Sequence, residues 1–200
     1  MPSATRPAGP TEAPSPSPSA SAPDAGALPQ TRARPRADSE LFSRVTKYFD
    51  AVRTGNPAEA TDFFFPLSAY RQVKGVKDPA ADYRDRLLRL YALDIAADHR
   101  LLGPDAAQAR LLGIDIPENA ARWVRPGEEY NKIGYWRVYG ARLRYAVGPG
   151  GETRSYGLAS LISWRGRWYV VHLGPINRSG SSGLVCSPDP RTSAPHVDCP

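Results

Sequence analysis

The 200-residue chain has two cysteines, one methionine and three histidines, and each scarcity excludes something. So few thiols and imidazoles cannot build a multi-cysteine zinc or iron–sulfur module. The sequence holds no run of about 18 apolar residues, so no membrane-spanning helix is expected. No sustained heptad pattern supports a coiled coil. It contains no Gly-x-Ser-x-Gly elbow, no phosphate loop and no dinucleotide fingerprint. Gly148-Pro-Gly-Gly151 opens no helix and reads as a turn. Lysine is sparse in residues 40–177: Lys47, Lys74, Lys77 and Lys132 stand among 20 basic residues against 15 acidic ones. That excess of five charges is spread rather than clustered, the signature of an Arg-rich composition and not of a polyanion-binding patch.

What the chain has in abundance is proline, unevenly placed. Nine of its 21 prolines fall in the first 40 residues, where Pro, Ala and Ser fill 24 positions, and four more follow Cys186. Such a segment cannot bury enough apolar surface to offset ordering, so residues 1–39 are expected to form a disordered tether. Within it, Arg32, Arg34 and Arg36 read as part of a solvated linker. Residues 40–177 carry all four tryptophans and form one domain; residues 178–200 read as a flexible tail. Met1 is followed by no charged and apolar leader, yet the tether looks like the spacer behind an export signal or lipidated anchor. The expected compartment is therefore extracytoplasmic, cell-surface lipoprotein or secreted, with membrane contact only through an anchor outside this chain. The alternative is a cytoplasmic protein with a disordered tail. Cys186 and Cys199, 13 apart, are expected to pair under oxidising conditions, a loop closure worth about 3 kcal/mol.

The domain begins with helices. Leu41, Val45, Phe49 and Val52 make one apolar stripe, widened by Phe42 and Tyr48, and Gly55 ends it. Asn56-Pro57 and Asp78-Pro79 are N-cap signals that open two further helices. Phe63, Phe64 and Phe65 are core, and residues 67–77 are ambiguous. Leu93, Ile95, Ala97, His99 and Leu101 alternate, which favours a strand over a continued helix, with residues 109–116 pairing back on it. Residues 116–127 read as a loop around Trp123. Residues 133–147, 153–164 and 167–173 form a three-stranded antiparallel meander through the Arg165-Gly166 turn, with Gly134, Gly140 and Gly157 marking bulges. The fold class is α+β, with N-terminal helices packed on a curved antiparallel sheet.

This order, together with the hairpin Gly157-Leu-Ala-Ser-Leu-Ile-Ser-Trp-Arg-Gly-Arg-Trp-Tyr-Val-Val-His-Leu-Gly174, resembles the cone-shaped superfamily of nuclear transport factor two, ketosteroid isomerase and scytalone dehydratase. The resemblance covers about residues 40–175 and implies a sheet curled over a cavity. Tyr130-Asn-Lys-Ile-Gly-Tyr135 and Ser163 to Gly174 also resemble exported actinobacterial proteins, which implies a compartment and no activity.

Acid–base chemistry in such a cavity would draw on His99, His172, Asp94, Asp115, Tyr70, Tyr91 and Tyr135. None of these matches a catalytic position of the family. His172 shares strand parity with Trp168 and Val170 and reads as a structural histidine whose loss costs stability; His172, Asp115 and His99 are the weak catalytic candidates. Tyr135, Arg137 and Tyr139 share one parity while Arg142 and Arg144 have the other, so no nucleic-acid surface is expected. No cofactor or metal is expected. The reading is a non-catalytic binding or assembly module for a small molecule or protein, with oligomerisation left open; the alternative is a small isomerase- or dehydratase-type enzyme using His172 or Asp115.

Overall fold

The computed structural model describes residues 24–178, 181–187, 196–197 and 199. Helix α1 (Ser39–Thr54) is capped by Asp38, whose carboxylate accepts from Leu41 N at 2.8 Å, and it ends at Gly55 in the left-handed conformation. Its stripe of Leu41, Val45, Phe49 and Val52 is buried together with Tyr48, whereas Phe42 is exposed. The Asn56 cap opens a short 3-10 turn, Pro57–Phe63. The three phenylalanines that follow are core: Phe64 stacks on Tyr91 at 4.2 Å, and Phe65 meets Trp164 and Tyr169 edge-on.

Helix α2 (Leu67–Val73) resolves the ambiguous segment. Asp78 then caps a continuous helical run made of α3 (Pro79–Asp82), a π-helical stretch (Tyr83–Leu88) and α4 (Arg89–Leu102). The strand expected over residues 93–101 is thus a helix. Its buried positions, Tyr91, Asp94, Ile95, Asp98, Leu101 and Leu102, follow a helical period. Two of them are aspartates with buried partners, which disguises the stripe in the sequence.

Among the described residues the sheet has seven strands: β1 (Arg110–Asp115), β2 (Arg122–Val124), β3 (Tyr135–Val147), β4 (Glu152–Trp164), β5 (Arg167–His172), β6 (Val185–Cys186) and β7 (His196–Val197). β1 and β2 both pair with β3 rather than with residues 93–101, so Trp123 lies on a short strand where a loop was expected. The meander β3–β4–β5 is antiparallel as expected. Its tight turn places Arg165 at φ +51° and Gly166 at φ +79°, the left-handed pair that a two-residue hairpin requires. The register breaks do not fall at the expected glycines. They lie between Leu111 and Gly113 in β1 and between Ser160 and Leu161 in β4, opposite His172 and Val170.

Both tail expectations are corrected where residues are described. Asp24–Asp38, assigned to the tether, lies along the sheet. Trp164 donates its indole N–H to Ala25 O, and the Gln30 amide bridges Ser163 O and Arg165 N at 3.0 and 2.7 Å. Arg32 and Arg34 are not merely solvated: their guanidinium groups sit 4.9 Å from the ring centroids of Trp123 and Trp136. Residues 1–23 lie outside the described residues. At the other end, residues 181–187 pack on α4 and β4, with Cys186 pairing to Gly157. The buried Asp94 carboxylate anchors them, accepting from Gly174 N, Leu184 N and the Arg178 guanidinium. Cys186 and Cys199 form a disulfide. Among the described residues no helix is long and apolar enough to cross a membrane.

Candidate functional site

A cavity of about 510 Å³ lies between the sheet and the helices, bounded by β3, β4, β5, α2, the π-helical stretch and the loop before β3. The pleat supplies its floor. Tyr135, Arg137 and Tyr139 project together from β3, and Arg137 and Tyr139 stand opposite Ile162 and Ser160 of β4. Ser160 in turn stands opposite His172 of β5, and its hydroxyl is hydrogen-bonded to His172 Nδ1 at 2.9 Å.

The register break puts His172 there. One extra residue in β5, Val171, opposes no partner, so Val171 and His172 both line the cavity. Trp168 and Val170, with which simple alternation groups His172, are buried elsewhere. The expectation of a shared face is corrected by that single inserted residue.

The helical wall contributes Tyr70 and Val73 from α2, Lys74 at its C-terminus and Arg86 from the π-helical stretch. Arg86 donates to Asp82 and to the Tyr70 hydroxyl at 2.8 Å, and Tyr70 donates to Asp82. The rim is the turn Glu128–Tyr130, where Glu129 (φ +54°) and Tyr130 (φ +59°) are both left-handed without being glycine. Such backbone is held only where the surroundings over-determine it. Here Gly75 N donates to Tyr130 O, Lys132 N to Val73 O, and Gly127 N to Asn131 O, each at 2.7 Å. The Tyr130 ring stays 84% exposed at the cavity mouth.

Charges inside are mostly matched. Arg137 pairs with Glu129 and lies over the Tyr139 ring at 4.4 Å. The Tyr135 hydroxyl donates to Glu129 and accepts from Asn131 Nδ2 at 2.7 Å. Asn131 is 3% exposed, and its Oδ1 is buried with no hydrogen-bond partner among the described residues. Burial pushes the Tyr70 and Tyr135 hydroxyls well above the usual tyrosine range, so both stay protonated donors. Burial, followed by the nearby Arg86, lowers the Lys74 ammonium. Burial, reinforced by Arg86, Lys74 and Arg178, holds His172 down at about 3, so its imidazole is neutral at physiological pH.

Of the seven acid–base candidates, three reach the cavity: His172, Tyr70 and Tyr135. Asp115 sits at the end of β1, ion-paired to Arg144 at 2.7 Å and largely exposed. His99 is on α4 with Nδ1 at 2.8 Å from Val52 O. Tyr91 donates to the carbonyls of Val170 and Val171, and Asp94 holds the C-terminal segment. Lys74, Arg86, Asn131 and Arg137 were not among the candidates. Arg137 was visible as the shared parity of Tyr135, Arg137 and Tyr139, but Lys74 lay in the ambiguous segment and Asn131 carries no local signal.

Among the described residues no group of three His, Cys, Asp or Glu could hold a metal ion. The arrangement can enclose a small organic molecule among aromatic side chains and offer it one cation, Lys74. Comparison with protein-family models, curated proteins and solved structures gives no match.

Proposed function

We propose that this chain is a non-catalytic binding module that takes a small organic molecule into the cavity under its sheet. We further propose that it works outside the cytoplasm, with its Pro/Ala/Ser-rich N-terminal stretch spacing it from an anchor, and that its fold belongs with the cone-shaped superfamily it resembles. The observation that carries the binding reading is the cavity itself. It has the size of a drug-like ligand site and an aromatic lining set with a few converging polar groups. The disulfide supports the compartment, since such bridges persist in oxidising surroundings. Helices followed by a β-meander over a cavity support the superfamily.

The enzyme alternative is weaker on chemical grounds. Asp115 and His99 are remote from the cavity, so it would rest on His172. A histidine held near 3 is a feeble general base at neutral pH, where catalysis favours a base near the working pH.

Thermal unfolding of His172→Ala beside wild type, with phenylnaphthylamine as an uncharged aromatic probe, tests the reading. A cavity-lining histidine predicts a melting temperature within about 4 °C of wild type and clearly altered probe binding. A stability loss of about 1–3 kcal/mol with unchanged probe binding would make His172 a packing residue and remove the reading's support.

A further inference from the structure

One unmatched cation in the cavity specifies the charge of an occupant. Of the three cations lining it, Arg86 is neutralised by Asp82 and Arg137 by Glu129. Lys74 makes no ion pair among the described residues; its ammonium reaches only the Glu129 carbonyl, at 3.4 Å. With His172 neutral, the cavity and its paired carboxylates carry one surplus positive charge. The rings of Phe65, Tyr70, Tyr135 and Tyr139 line the same cavity.

We propose that the cavity takes an aromatic or alicyclic monoanion, a carboxylate or sulfonate in chemical class, seated with its anion on Lys74. The proposal rests on the cavity being a binding site and adds to that reading the charge of the occupant. Lys74 leaves the end of α2 through an antiparallel bridge to Asn131, which fixes its backbone at the cavity wall. Aromatic walls then exclude water from the ion pair, which strengthens it. A dianion or a cation would meet the wrong charge, and a plain hydrocarbon would leave the ammonium unmatched.

Two dyes that differ by one sulfonate separate the parts of this assignment on the full chain: anilinonaphthalene sulfonate and its uncharged parent phenylnaphthylamine. The sulfonate should bind at least about tenfold more tightly than the parent, and Lys74→Met should erase that preference while leaving the parent within about twofold. Lys74→Arg should retain it. Equal binding of sulfonate and parent, unaffected by Lys74→Met, overturns the anionic assignment while leaving the binding site standing. Failure of both dyes to bind the folded chain overturns the binding reading itself.

Discussion

His172 shows how one side chain can report on its surroundings through pH. Its folded value near 3 lies below the ordinary value of 6.5, so the unfolded chain takes up a proton that the folded chain refuses. Stability should therefore fall as pH drops from about 6.5 towards 3, and His172→Gln should flatten that fall by on the order of 1–3 kcal/mol at pH 4. Urea unfolding of both proteins at pH 7 and pH 4 measures it; parallel losses would show that His172 is not held neutral. Asp94 is a different kind of residue: its buried carboxylate accepts from Arg178 and from two backbone N–H groups, and the Asp94 and Arg178 side chains are only 2% and 7% exposed. Removing one partner strands the other, so Asp94→Ala should cost about 3–5 kcal/mol in urea unfolding. A loss under about 1 kcal/mol would mean that the C-terminal segment is not anchored there.

At the scale of elements, what the sequence discloses depends on whether a pattern is local. The meander is legible because residues 133–147 alternate and the apolar segments that follow are joined to them and to each other by turn residues. Helix α4 is not, because its core face includes Asp94 and Asp98, whose partners Arg178 and Tyr48 are 84 and 50 residues away. With those two positions scored as polar, the remaining apolar residues imitate a strand. The same limit hid half the candidate site: His172 is aimed by a register break, and Lys74 meets Asn131 across 57 residues of chain. The docked N-terminal strap was hidden too, since Pro- and Ala-rich composition describes what a segment cannot bury alone and not what it can lie against. Gln30 is its principal clasp. Gln30→Ala should cost about 1–2 kcal/mol and, by freeing Arg32 and Arg34 from Trp123 and Trp136, change tryptophan fluorescence. Unchanged stability and emission would show that the strap does not hold the sheet.

At the scale of the molecule, helices α1 to α4 close one side of a seven-stranded sheet, and the cavity opens where the rim turn Glu128–Tyr130 bridges them. A domain of this size could have filled that space with side chains, as interiors are ordinarily close-packed. Instead it surrounds the space with paired charges, protonated tyrosines and a strained rim, each held by several hydrogen bonds. Such an arrangement makes sense if something small is meant to enter. The most direct measurement is a fluorescence titration of the full chain with phenylnaphthylamine, wild type against Val171→Trp, whose indole would occupy the cavity. One saturable site per chain in the wild type, lost in a variant that still unfolds cooperatively at a similar temperature, is the expected result. No saturable binding to the folded wild type, or equal binding by the blocked variant, would contradict the claim that this cavity is the site.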